Sequence, residues 1–355
     1  GPDVAIQVGN DLPMNYGLRN AVVDLSEFDD LPEIRSYFRE SAMVPYEFDG
    51  MTFGLPETET CLMMFYRKDI LKELNLEVPR TWDEMKVALS VLSKNNMDLG
   101  MLPTGMTPQL AEQVFAMLLY QNGGEYYNAD ATASALDSDV AISVFKDYTE
   151  YYTDYKLDME APLDQRFRTG EAPIIISDFS LYNQLQVSAP DIKGLWGFSM
   201  IPGTVREDGK VDFSVSSTGS AAIMMSQTRD KESAWKFMKW WISADTQTQY
   251  AREMEALMGA AARYPTANIE AFDNLPWPTE DYEALMAQFE WMKGIHQVPG
   301  GYYSWRNVSN AFYKVVNASD EKKMMPREAL MDYVRYINEE ITFKRKEFGL
   351  PTAEY

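Results

Sequence analysis

An α/β fold is predicted by two observations. From Val4 to about Pro103 short apolar runs alternate with amphipathic helical patterns, as in a sheet with helices on its faces. One of those runs, Cys61 to Tyr66, is wholly apolar and suits a strand buried on both faces. The chain is 355 residues long and 46% hydrophobic, enough to bury a sizeable core without staples, and its length favours two domains over one.

The elements follow in order. Val4, Ile6 and Val8 alternate as a strand entering a sheet. Between Asp24 and Tyr37, Leu31 and Ile34 sit beside Pro32, which a first helical turn tolerates. After the Cys61–Tyr66 run, Lys68 to Leu76 places Ile70, Leu71 and Leu74 on one helical side, and Pro79 ends the segment. Thr81-Trp82-Asp83-Glu84 is a capping box, so a helix starts at Trp82. Leu99 to Leu102 is a short strand that stops at Pro103-Thr104-Gly105. Gln109 to Asn122 is a helix stopped by Gly123-Gly124, and Leu136 to Tyr155 is another, capped by Asp137 or Ser138. Arg166 to Ile176 passes from a helix end through Gly170 into a buried strand, and SDFSLYNQL, from Ser177, opens the next helix. Leu195 to Pro202 alternates, Ser214 to Met225 returns as a strand, and Lys231 to Ser243 is helical. Thr279 to Lys293, Tyr303 to Asn317 and Pro326 to Phe348 complete the helices, the last with Leu330, Val334, Ile337 and Ile341 inward.

Composition excludes several functions. A net charge of −22, from 54 acidic and 32 basic residues, repels nucleic acid and anionic membranes, and the basic residues form no patch. The one cysteine, Cys61, permits no internal disulfide and reads as a small buried hydrophobe. No segment approaches the roughly 20 apolar residues of a membrane span. His296, the one histidine, stands in GIHQVPGG, which is neither a nucleophile elbow nor a metal helix, so it reads as a loop or structural residue. Zinc ligands are too few, and no GxGxxG or Walker sequence occurs; no metal or cofactor is expected. Glu57 and Glu59 would point to one face of a strand, as a glycosidase pair might, but among 54 acids such spacing arises by chance.

Binding chemistry fits the inventory better. There are 21 tyrosines and 8 tryptophans. Sugars present apolar C–H faces ringed by hydroxyls, so a sugar site needs aromatic platforms edged by charged and amide groups. Trp82, Trp235, Trp240 and Trp241 lie within helix patterns and are assigned to packing; Trp196 leans structural.

The order of Gly54-Leu55-Pro56, an aromatic strand ending in Tyr-Arg-Lys-Asp and a helix start at Thr81-Trp82-Asp83-Glu84 resembles the family 1 extracellular solute-binding proteins of ABC importers, the group that contains maltose-binding protein. "F..G.A" before an apolar strand, "WG...PG" and a "keAW.F" helix extend the resemblance over nearly the whole chain. SWRN and ARYPTAN look most like a branch found in large Gram-positive cell-surface binding proteins.

The resemblance implies a type II periplasmic-binding-protein-like fold: two lobes, discontinuous crossings and a cleft between them. Residues 1–103 with 216–260 form one lobe and 104–215 with 261–355 the other, closing about crossings near Pro103, Thr204 and Gly259. It implies an extracellular, surface-attached importer component that binds a carbohydrate, an oligosaccharide by expectation, and docks as a monomer on an ABC permease, with no catalysis. The alternatives are a sugar-sensing or attachment module of a larger surface protein and, last, a glycoside hydrolase. In the family, a strand-helix-strand unit of roughly 30 residues precedes the strand that begins at Pro2-Asp3-Val4, so an upstream portion carrying any anchor is expected.

Six residues are implied at the site. Phe179 occupies the place of a sugar-stacking aromatic, or is a helix-entry core contact. Glu57 lies on a cleft loop, or is a solvated loop acid. Trp305 and Arg306 open a helix where the family contacts ligand, and arginine there can fork onto hydroxyls or a carboxylate. Arg263 serves a hinge salt bridge or the ligand. Gly219 allows close approach of a ligand or of another strand.

Overall fold

One strand joins the two parts of the main sheet in the computed structural model, which describes residues 1–102, 108–159, 162–317 and 323–353. The strands are β1 (Val4–Gly9), β2 (Glu47–Phe48), β3 (Met51–Thr52), β4 (Leu55–Arg67), β5 (Leu99–Met101), β6 (Ile174–Asp178), β7 (Trp196–Ser199), β8 (Thr204–Val205), β9 (Val211–Asp212), β10 (Val215–Met224) and β11 (Met292–Lys293). With 13 residues, β4 is long enough to serve two neighbourhoods. Its first half, to Cys61, pairs antiparallel with β10, and from Leu62 onward it pairs with β6 and β7. The sheet runs β1-β10-β4-β6-β5, with β11 on β10 and β7 on β4.

Two cores lie along that strand. In the smaller, Leu25, Ile34, Met43 and Leu55 pack with Met224, Trp235, Met238 and Ile242. The larger begins at Cys61, continues through Ile201, and is completed by Phe272, Leu285 and the apolar side of the last two helices. Each fully buried Leu, Ile or Phe contributes about 1.5–3 kcal/mol, so each core can hold its own lobe together.

Local chemistry sets the ends of the helices. Thr81 Oγ1 accepts from the Glu84 amide at 3.2 Å while Glu84 Oε2 accepts from the Thr81 amide at 3.2 Å, and the helix Trp82–Lys94 follows. Ser138, rather than Asp137, caps the helix Asp139–Thr153. Gly170, at φ +85°, adopts the left-handed conformation that ends the helix Leu163–Thr169 before β6.

The expected lobe boundaries need correction. Leu62 to Met101 packs into the larger core, so the first crossing lies within β4, where pairing passes from β10 to β6, and not after residue 103. Pro103 itself lies outside the described residues. Thr204 starts a hairpin of β8 with β9, and its hydroxyl donates to Gln121 Oε1 at 3.0 Å inside the larger lobe; it is no crossing. The second passage runs along β10, from Val215 in the larger core to Ala222 in the smaller. The third falls between Ala267, in the smaller core, and Phe272, in the larger. A strand with no Gly or Pro break at the crossing leaves no compositional mark of it.

Among the described residues no helix is long and apolar enough to cross a membrane, and no group of three or more His, Cys, Asp or Glu could hold a metal ion.

Candidate functional site

Side chains alternate across a strand, so Glu57-Thr58-Glu59-Thr60 on β4 sorts into two faces. Thr58 lies opposite Ser220 and Thr60 opposite Thr218, which puts four hydroxyls on one face where the two lobes join. All four residues are half-buried. Thr58 Oγ1 lies 2.9 Å from Ser220 Oγ, and the Ser220 amide donates to Thr58 Oγ1 at 2.9 Å. Asp178, the last residue of β6, pairs across from Leu62 and takes a hydrogen bond from the Ser180 amide at 2.9 Å. Its carboxyl is enclosed although the residue keeps some exposure; burial pushes its pKa up, and hydrogen bonds from Thr60 and Ser180 oppose the rise. From the first lobe, Asn10 closes in, its amide donating to Gly219 O at 3.2 Å.

The opposite face is closed. Glu57, 1% exposed, accepts from the Trp241 indole N–H and from the Gln7 amide, which a β1 bulge at φ +55° turns toward it. Glu59, 3% exposed, accepts from Ser41 Oγ at 2.6 Å and lies 3.5 Å from Arg39. Burial pushes both carboxyls up, offset for Glu57 by Trp241 and Gln7 and for Glu59 chiefly by Arg39. Glu57 therefore stands within a strand, held by the protein's own donors, and not on a cleft loop.

The other expected residues separate. A Cβ on Gly219 would lie 1.9 Å from Thr58 O, so this glycine serves the close approach of β10 to β4. Phe179, 1% exposed, precedes the helix Leu181–Ser188 and packs edge-on against Phe272 at 6.3 Å and Trp277 at 6.4 Å. Its ring is a core ring in this conformation. Arg263 forks onto Glu255, with Nε at 3.0 Å and Nη2 at 2.7 Å, and its guanidinium lies 4.5 Å from the Trp277 ring centroid. Trp305 is half-buried and Arg306 exposed at the start of the helix Ser304–Val316, where the guanidinium sits 5.7 Å from the rings of both Trp305 and Tyr303. The structure thus gathers Glu57, Gly219, Phe179 and Arg263 around the crossings, and neither Trp305 nor Arg306 hydrogen-bonds to them.

Trp240, assigned to packing, is 56% exposed, whereas Trp196 is buried beside Tyr182. His296 lines a cavity of about 580 Å3 between the lobes, walled by Glu47, Asp49, Gln297 and Arg345. Sequence reasoning passed over Asp178, Asn183 and the four hydroxyls. The alternation of Glu and Thr from Glu57 to Thr60 was the available signal.

Residues 1–271 match the model of the bacterial extracellular solute-binding protein family. Proteins of Brucella abortus (strain 2308) and Brucella suis biovar 1 (strain 1330), each named as a binding protein, are 26% identical over 231 residues, 62% of this chain and 54% of theirs. The chain spans about half the length of these curated relatives. Among solved structures, the sugar-binding protein MalE of Xanthomonas citri matches with a TM-score of 0.79 at 18% identity, covering 99% of this chain and 86% of that one. An ABC transporter solute-binding protein of Thermotoga lettingae, bound with α-D-tagatose, matches at 0.75 and 18%, over 96% and 86%. A Listeria monocytogenes ABC substrate-binding protein in complex with cycloalternan matches at 0.70 and 19%, over 99% and 86%. At these identities the likeness is one of fold, the two-lobed type II periplasmic-binding-protein arrangement.

Proposed function

The chain belongs to the bacterial extracellular solute-binding proteins, and from that membership we propose that it captures a carbohydrate, an oligosaccharide, between its lobes for delivery to an ABC permease. The observation that carries this reading is the half-buried hydroxyl face of Thr58, Thr60, Thr218 and Ser220, with Asp178 at its edge. Hydroxyls both give and take hydrogen bonds with a polyol and a carboxylate accepts them, and these groups stand where closure of the lobes would exclude water. Sugar-bound structures of the same fold support the ligand class. The aromatic and cationic pair Trp305 and Arg306 offers a second wall. Glu57 and Glu59 are each held by internal donors and are given no catalytic role.

Capture follows from linkage: a ligand that touches both lobes favours the closed form by its differential affinity for closed over open. We place the protein at the outer cell surface, attached there and acting as a monomer.

Thermal unfolding and tryptophan fluorescence against panels of neutral oligosaccharides, peptides and polyamines test this. An oligosaccharide should raise the melting point, and Asp178→Asn and Trp305→Ala should weaken its binding. If only peptides or polyamines bind, the carbohydrate reading is wrong.

A further inference from the structure

Three side chains at the third crossing share an uncommon property. Asn183 Oδ1, Arg263 Nη1 and Trp277 Nε1 are all buried and have no hydrogen-bond partner. Such atoms are rare in folded proteins, because each gives up its bond to water and receives nothing in return. Here they are neighbours: Asn183 Nδ2 donates to Arg263 O at 3.4 Å, and the Arg263 guanidinium lies over Trp277.

Their position is at the seam of the lobes. Asn183 lies in the first turn of the helix Leu181–Ser188, just beyond Asp178 at the edge of the hydroxyl face. Arg263 follows the short turn Ala260–Ala262 and leads into the crossing segment, where the Glu59 amide donates to Pro265 O at 3.0 Å and the Ala267 amide to Glu57 O at 2.9 Å. A ligand can reach these atoms only where the lobes part.

We propose that Asn183, Arg263 and Trp277 select neutral sugars against acidic ones, and that Glu255 sets this preference. The inference rests on the carbohydrate reading above. The free atoms are two kinds of N–H donor and one carbonyl acceptor. A hydroxyl both donates and accepts, so sugar hydroxyls can satisfy all three; a carboxylate only accepts and leaves Asn183 Oδ1 unmet. Charge points the same way. Glu255 takes the Nε–Nη2 edge of the Arg263 fork and cancels its positive charge, leaving a donor without a net attraction for anions. A uronate approaching Nη1 would meet a guanidinium whose charge Glu255 already matches from the opposite edge.

Calorimetric titration of the wild type, Arg263→Lys, Asn183→Ala and Glu255→Gln tests the proposal. The probes are maltotetraose, mannotetraose and cellotetraose as neutral glycans, and tetragalacturonate as the acidic one. The wild type should bind a neutral glycan and not tetragalacturonate. Arg263→Lys keeps the charge beside Glu255 but loses the free edge of the fork, and it and Asn183→Ala should each weaken neutral binding about tenfold. Glu255→Gln should admit tetragalacturonate. Wild-type binding of tetragalacturonate as tight as that of the neutral glycans overturns the inference. So does neutral binding unchanged in Arg263→Lys and Asn183→Ala, an outcome that leaves the carbohydrate reading standing. Failure of the wild type to bind any of the four glycans removes both.

Discussion

Thr58 and Thr60 on one face of β4, and Glu57 and Glu59 on the other, are adjacent in sequence and opposite in circumstance. The hydroxyls stay half-buried where the lobes meet, while the carboxylates are enclosed and answered by Trp241, Gln7, Ser41 and Arg39. The residues that look most chemical in the sequence are therefore structural, and the milder ones face the seam between the lobes. A buried charge needs dedicated partners, and those partners shut out ligand.

The contrast can be broken most directly at Glu59. Glu59→Ala leaves Arg39 without its carboxylate and should cost about 3 kcal/mol of stability in urea unfolding. A loss below about 1 kcal/mol would mean that the closed face is not structural. The hydroxyl face should show the reverse pattern. Thr60→Val with Thr218→Val should change stability by no more than about 0.5 kcal/mol per site, yet weaken oligosaccharide binding about tenfold. Equal losses of stability on the two faces would erase the distinction.

The smallest effect is in pH. Glu57, Glu59 and Asp178 have carboxyl pKa values raised by burial, so the folded state holds their protons more tightly than the unfolded chain. Their contribution is fully present below the unfolded values and is lost as pH rises through the folded ones. These groups should therefore contribute more stability at acid pH, below the unfolded carboxyl values, than above their folded values, by about 1.4 kcal/mol for every tenfold gain in proton affinity on folding. Glu57→Gln should flatten that slope; an unchanged profile would show that Glu57 is not a contributor.

Much of the fold was legible. The apolar run at Cys61, the capping box at Thr81 and the inward stripe of Leu330, Val334, Ile337 and Ile341 each follow from periodicity or capping, and each is present. The lobe boundary was not, because β4 is continuous through it. Phe179 and Trp240 show the limit for aromatics: helix position alone does not tell which ring a neighbouring element will cover, and Phe272, Trp277 and Phe289 cover Phe179 while Trp240, beside Phe237 and Trp241 of its own helix, stays 56% exposed. The orphaned atoms of Asn183, Arg263 and Trp277 arise from long-range packing and have no signature in local sequence.

Cys61 stands where β4 changes partners. It is 0% exposed, opposite Ser217, and its carbonyl accepts from the Phe179 amide at 3.0 Å. Burial pushes its thiol well above the ordinary range, so it is inert while the strands stay paired. The chain's single thiol is thereby a clock built into the crossing: an alkylating reagent can reach it only in the intervals when β4 and its neighbours part, and the rate of labelling counts those intervals directly.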